Sequence, residues 1–292
     1  MKLFEAIGNT PLIEMCYSNI KKGVKIYAKL EGNNPAGSVK DRPAFNMINE
    51  ALKTGKIKKG DTVIEATSGN TGIALAMCAS ILEVKMVLVM PESATEERKK
   101  SMRAYGAELI ETPAEKTIEY SRVYAKELAD KNGYYLLNQF DNDDNWKAHY
   151  KTTGPEIWND TNGKVTHFVS AMGTTGTITG VSTYLKEKNP SIKIIGAQPE
   201  DGSKIPGIRR WSPELLPAIY DDSKVDEKRN ISQDEAYEGS RNLAKKEGVL
   251  AGVSAGGAYA LACKIAEEID KGVIVFIACD RGDRYLSTDL FK

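Results

Sequence analysis

The sequence is poor in the residues from which metal centres and disulfide frameworks are built. It has two histidines, His149 and His167, and four cysteines, Cys16, Cys78, Cys263 and Cys279, none in a Cys-x-x-Cys pair. That spacing offers neither a zinc set nor a disulfide scaffold, and no metal is expected. Charge of one sign is lacking too: 40 basic side chains balance 40 acidic ones. Nucleic acid and anionic membrane surfaces are therefore not expected partners. No run approaches the ~20 apolar residues of a membrane span. Residues 1–10 lack the uninterrupted apolar core of a signal peptide. A cytoplasmic location is the resulting expectation, with Cys78 and Cys263 read as buried thiols inside apolar helix patterns.

What is present is ordinary globular material: 292 residues, 41% hydrophobic and 27% charged, a length that suits about two domains. Short apolar or β-branched runs at 62–66, 85–89, 108–111, 165–170, 192–196 and 273–278 alternate with longer stretches of helical periodicity. The latter lie at 41–54, 71–82, 95–105, 117–131, 174–188, 233–247 and 257–269. The alternation predicts an α/β fold with largely parallel sheets and helices on both faces. The polar stretch 141–145 is a candidate linker between two α/β units, and 200–230 reads as proline-rich and irregular.

Four segments carry chemistry. Ser170-Ala-Met-Gly173-Thr174-Thr175-Gly176-Thr177 follows a strand and opens a helix, so turned backbone N–H groups, threonine hydroxyls and the helix start together suit a phosphate. It has neither the lysine of a P-loop nor the Gly-x-Gly-x-x-Gly of a dinucleotide site, although Glu200 lies near the distance of a ribose-binding acid. Thr67-Ser68-Gly69-Asn70-Thr71-Gly72 repeats that physics with more hydroxyls and an amide, which suits a carboxylate. Asn34-Pro-Ala-Gly-Ser-Val-Lys40-Asp-Arg-Pro43 puts Lys40 at a helix start, where the dipole disfavours the ammonium form and favours a nucleophilic amine. Ala251-Gly-Val-Ser254-Ala-Gly-Gly257 precedes another helix. Each segment also has a plain alternative: a strand-to-helix turn, a capping turn, a solvated lysine, and an N-cap serine at Ser254.

Taken in register, the four segments resemble the fold-type II pyridoxal-phosphate enzymes, and within them the O-acetylserine sulfhydrylase (cysteine synthase) family, B-isozyme type. The resemblance runs from Ile7-Gly-Asn-Thr-Pro-Leu12 to Cys279-Asp-Arg-Gly-Asp-Arg-Tyr-Leu-Ser-Thr288. It also takes in Thr152-Thr-Gly-Pro-Glu-Ile-Trp158 and Ile205-Pro-Gly-Ile-Arg-Arg-Trp211. It implies two doubly wound α/β domains with the cofactor between them: residues 1–36 with 146–292 as the larger, and 37–145 as a smaller, mobile one. It assigns the Schiff-base lysine to Lys40 and the bond to the cofactor's ring oxygen to Asn70. The phosphate cup falls on Gly173, Thr174, Thr175, Gly176 and Thr177, and the partner of the pyridine nitrogen on Ser254. Thr67, Ser68, Asn70, Thr71 and Gln139 fall on the pocket for the substrate α-carboxylate. His149 and His167 take structural positions.

The implied chemistry is β-replacement on an O-activated serine (O-acetylserine) by sulfide or thiosulfate through an α-aminoacrylate. Pyridoxal 5'-phosphate is the implied cofactor, with a small amino acid and a sulfur nucleophile as partners, in a homodimer. A neutral Ser254 hydroxyl suits elimination more than chemistry needing a long-lived carbanion. Arg209 and Arg210 are candidates for admitting an anion such as thiosulfate. The chain departs from the family pattern at 141–147, 114–120, 93–95 and Ala218, which leaves a second reading open: L-cysteine as donor, releasing hydrogen sulfide and giving serine, lanthionine or cystathionine. A nicotinamide-dependent dehydrogenase and a catalytically silent partner protein are the readings from other classes. The missing fingerprint weighs against the first and an intact Lys40 against the second.

Overall fold

The computed structural model describes residues 1–16, 21–203 and 205–292. Its strands are β1 (Leu12–Glu14), β2 (Val24–Leu30), β3 (Thr62–Ala66), β4 (Lys85–Pro91), β5 (Glu108–Thr112), β6 (Tyr135–Leu136), β7 (His167–Ala171), β8 (Lys193–Pro199), β9 (Glu227–Ile231) and β10 (Gly272–Ala278). The α-helices are α1 (Asp41–Lys53), α2 (Asn70–Ile81), α3 (Glu96–Ala104), α4 (Thr117–Asn132), α5 (Asp143–Lys151), α6 (Thr153–Asp160), α7 (Gly176–Lys188), α8 (Gln233–Glu247) and α9 (Val253–Glu268). They gather into two compact units, residues 1–7 with 40–145, and residues 8–39 with 146–292. The sequence-based division differs from this mainly at the N-terminus: Phe4 stacks on Phe45 of α1 at 5.6 Å, so residues 1–7 go with the smaller unit.

The smaller unit is built on a four-stranded parallel sheet in the order β5-β4-β3-β6. Strands covered on both faces need apolar residues throughout, and β4 is buried from Met86 to Pro91. Ala125 and Ala129 of α4 cover one face against Ile64, Ala66, Val87 and Val89. Helix α2 is buried all round from Thr71 to Ala79, which explains its unpatterned apolar sequence.

The larger unit has a six-stranded sheet in the order β1-β2-β10-β7-β8-β9, parallel except for the β1–β2 pair. Ala255, Ala258 and Ala262 of α9 pack on one face against Ile26, Ile274 and Phe276. Ile178, Val181 and Leu185 of α7 pack on the other against Phe168, Ile194 and Val275. Both sheets thus carry the expected doubly wound α/β architecture.

Several details depart from the sequence reading, which also lacked β1, β6, β9, α5 and α6. Strand β2 was hidden by its lysines, because Lys29 is fully buried and carries its charge into the core. Its Nζ meets Glu156 and Asp160, each at 3.0 Å, and donates to the Thr10 carbonyl at 2.6 Å. Helix α9 starts at Val253 rather than 257, so the fourth segment lies inside it. Its glycines do not break the helix: a Cβ at Gly256 would run into the Ala236 carbonyl of α8, and one at Gly239 into the Gly256 carbonyl. The 141–145 stretch is a hydrogen-bonded turn into α5, not a slack linker, although the boundary between units does fall at its end. Asn142 Nδ2 donates to the Leu137 carbonyl at 2.9 Å and Asn145 Nδ2 to the Gln139 carbonyl at 2.6 Å.

Candidate active site

In the smaller unit the candidate residues stand on two helix starts and one turn. Lys40 is the N-cap of α1, half-buried, with its carbonyl accepting from the Ala44 N–H at 3.0 Å. The amine-bearing residue is therefore at the positive end of the helix, as its sequence context requires. The loop from β3 to α2 carries Thr67 and Ser68, then Gly69 as N-cap, then Asn70 and Thr71 in the first turn. Gly69 has no side chain to cap α2, which leaves first-turn N–H groups for another acceptor. Thr67 and Thr71 are buried and Ser68 half-buried. Among the described residues no protein group hydrogen-bonds the hydroxyl of any of the three. Other buried hydroxyls are spent on protein partners, as in Thr10 on Glu31 and Thr112 on Ser121, with Thr179 Oγ1 an exception among the described residues.

Gln139 is buried, and its backbone N–H donates to Glu65 Oε2 at 3.2 Å. Glu65 was missed by the sequence reading. It sits on β3 one turn of chain before the hydroxyl loop, its Oε1 accepting from the Ala66 N–H at 3.2 Å. Burial raises its carboxyl to about 7, against the lowering effect of both backbone N–H groups, the Gln139 side chain and the Arg122 guanidinium. Arg122 itself lies over the Phe140 ring at 4.3 Å. An acid inside the apolar run Thr62-Val-Ile-Glu-Ala66 was the available signal.

In the larger unit β7 leads through a tight turn into α7. Thr175, the N-cap, has φ +70°, an uncommon conformation for a β-branched residue, and its side chain does not cap the helix. Its hydroxyl instead donates to the Thr174 carbonyl at 2.5 Å. The turn is held by the 205–211 segment: the Arg209 N–H donates to the Met172 carbonyl at 2.8 Å, and Trp211 Nε1 to the Gly173 carbonyl at 2.8 Å. Gly207, at φ +84°, passes between the cup and Ser254. A Cβ on Gly173 would stand 2.9 Å from the Gly207 carbonyl oxygen, and one on Gly207 3.3 Å from Ser254 Cβ. Gly173 and Ser254, far apart in sequence, are thus brought to the two sides of one glycine.

Ser254 is not an N-cap, since that position belongs to Gly252. Its residue is 5% exposed, and among the described residues its hydroxyl has no hydrogen-bond partner. Arg210 is committed to structure: Nε to the Pro199 carbonyl at 3.1 Å, and further contacts to Asn230 and Asp201. Arg209 lies over the Trp211 ring at 5.3 Å. His167 pairs Nδ1 with Thr166 Oγ1 at 2.8 Å and is lowered in pKa by burial and by Lys193 and Arg229. The donors at the start of α7, the bare glycine surfaces and the orphaned neutral hydroxyl fit a planar group bearing a phosphate, and so fit pyridoxal phosphate.

A family model described as "Pyridoxal-phosphate dependent enzyme" matches residues 3–280. Cysteine synthase B of Escherichia coli (strain K12) is 55% identical over 289 residues, 99% of this chain and 95% of that one. Among solved structures, cysteine synthase (OASS) from Entamoeba histolytica aligns with a TM-score of 0.94 at 40% identity, covering 99% of this chain and 90% of that one. A hydrogen sulfide-producing enzyme from Fusobacterium nucleatum aligns at 0.92 and 40% identity, covering 98% and 99%. The uncapped helix starts, the orphaned hydroxyls and these full-length likenesses agree, and the chain belongs to the pyridoxal-phosphate-dependent enzymes of fold type II, in their cysteine synthase family.

Proposed function

We propose that the chain is a β-replacement enzyme that converts O-acetylserine and sulfide into L-cysteine and acetate, with thiosulfate as a second sulfur donor. The observation that carries the reading is the set of hydroxyls, Thr67, Ser68, Thr71 and Ser254, left without partners among the described residues at the positions the family pattern assigns to ligands. Lys40 would hold the cofactor covalently through Nζ, Asn70 its ring oxygen, Gly173, Thr174, Thr175, Gly176 and Thr177 its phosphate, and Ser254 its pyridine nitrogen. When bound, pyridoxal phosphate supplies an electron sink for the negative charge left at the substrate Cα. The Lys40 amine would remove the Cα proton and return it after acetate has left Cβ and sulfur has joined it. Thr67, Ser68, Asn70, Thr71 and Gln139 hold the α-carboxylate with hydroxyl and amide donors. A neutral Ser254 hydroxyl does not hold a proton on the ring nitrogen, which keeps the sink weak and favours loss of the β-substituent. A cytoplasmic homodimer whose smaller unit moves on substrate binding belongs to the same proposal.

The test is product analysis of the pure enzyme with O-acetylserine and sulfide or thiosulfate. Cysteine or S-sulfocysteine is expected, and formation of neither removes the proposal. Likeness to the Fusobacterium enzyme, described as hydrogen sulfide-producing, favours a second reading in which L-cysteine is the donor. Sulfide release from cysteine alone, faster than cysteine synthesis, would select it.

A further inference from the structure

His149 on α5 is 1% exposed, Thr153 at the start of α6 is fully buried, and Thr177 in the first turn of α7 is 8% exposed. The imidazole stands between the two hydroxyls, with Nδ1 2.9 Å from Thr153 Oγ1 and Nε2 3.3 Å from Thr177 Oγ1. Helices α5 and α7 meet closely beside it at Gly180, where a Cβ would lie 2.7 Å from His149 Cβ and 2.9 Å from the Tyr150 nitrogen.

Either neutral tautomer accepts only one of the two threonine hydrogens, and burial decides which: Thr153 is fully buried, whereas Thr177 is 8% exposed at the start of α7. The Thr153 hydroxyl has one hydrogen to place, and among the described residues His149 Nδ1 is its acceptor. Any ring form carrying hydrogen on Nδ1 would turn that nitrogen into a donor and leave the Thr153 hydrogen buried without a partner, which is costly. Nδ1 is therefore bare. An imidazole with a bare Nδ1 carries its hydrogen on Nε2, and Nε2 then donates to the Thr177 oxygen. With its oxygen accepting from the ring, Thr177 has its own hydrogen free to point away from His149. In the opposite tautomer Thr177 would donate to Nε2 and turn lone pairs toward any anion at the start of α7.

We propose that Thr153 and His149 are positioning residues, a relay of hydrogen bonds that presents the Thr177 hydroxyl as a donor to the anion bound at the start of α7. The proposal rests on the reading that Gly173–Thr177 hold the cofactor's phosphate.

The chain's two histidines make the tautomer directly measurable. In 15N-labelled holoenzyme, with His167→Gln to assign the signals, His149 is expected to show a bare Nδ1 and a protonated Nε2. A protonated Nδ1 overturns the relay, and this arm needs no substitution at Thr153. The second arm follows equilibrium release of pyridoxal phosphate from the holoenzyme of Thr153→Val, Thr153→Ser, Thr177→Val and the Thr153→Val/Thr177→Val double variant. Thr153→Val should weaken retention about tenfold, as for one hydrogen bond to a charged group. Thr153→Ser should restore it, and Thr153→Val should cost nothing further once Thr177 is valine. A Thr153→Val loss that persists undiminished in the Thr177→Val background reveals a merely structural role and overturns the relay. A loss with Thr177→Val but none with Thr153→Val does the same while leaving the cup intact. Unchanged retention in Thr177→Val removes the phosphate reading itself, and the relay's purpose with it.

Discussion

In the larger unit Gly173, Gly207 and Ser254 succeed one another with too little room for an added Cβ, and the space between them is set by absent side chains. In the smaller unit Thr67, Ser68 and Thr71 carry hydroxyls with no partner among the described residues, and Gln139 is suspended from Glu65 and Asn145 by hydrogen bonds. Steric walls of backbone have one shape and hold one thing well. Hydroxyls and amides rotate, and they can exchange a ligand for water at small cost. The first arrangement suits a group that stays through many turnovers, the second a group that enters and leaves at each one.

The sharpest way to break this contrast is Lys40→Ala. Turnover should fall by roughly 10³-fold or more, while the packed cup of the larger unit still retains cofactor without the visible band of the lysine-linked form. Full loss of cofactor on gel filtration would show that the cup does not hold by shape.

Glu65 offers the next largest effect, and it lies in the smaller unit alone. Its carboxyl is raised from 4.5 to about 7, so the folded chain binds this proton more tightly than the unfolded chain does. Stability should therefore fall as pH rises from about 4.5 to about 7 and level off above, by roughly 3 kcal/mol from this group. Glu65→Gln should flatten that slope. Parallel urea-unfolding curves for wild type and variant at pH 5 and pH 8 would show that the carboxylate is not titrating there.

Gly207→Ala tests the packed side. Alanine at φ +84° is strained, and its Cβ would press on Ser254, so cofactor retention should drop about tenfold with the donor KM little changed. The smallest effect belongs to Ser254→Ala, which removes one hydrogen bond worth ~1 kcal/mol. A modest rise in cofactor release, measured by dialysis, is the expected outcome; a loss as large as that of Gly207→Ala would mean that the hydroxyl, not the wall, does the holding.

The glycine- and threonine-rich turns were legible in the sequence because anion binding at a helix start uses few residue types at fixed spacing. Other features resisted reading because their meaning is tertiary. Lys29 made β2 look amphipathic, since nothing local announces that Glu156 and Asp160 neutralise it from another helix. Gly256 looked like punctuation, since only the approach of α8 explains it. Glu65 passed as one residue of a strand, and its partner Gln139 is 74 positions away. His149 was legible only as a structural histidine by resemblance, since its tie to Thr177 spans 28 positions.

The meeting of Gly239 and Gly256 has a mechanical consequence for Ser254. Side chains between two helices have rotameric play, and helices packed through them can slide by fractions of an ångström. Here backbone rests on backbone, and the Ser240 hydroxyl ties α8 to the Gly252 carbonyl at 2.9 Å, two residues before Ser254. Helix α8 is itself anchored at its start by the reciprocal Ser232–Glu235 capping box. The axial registry of Ser254 is thus dead-reckoned from main-chain atoms. The stripe through Ala236, Gly239 and Ser240 is the datum from which a single hydroxyl takes its height.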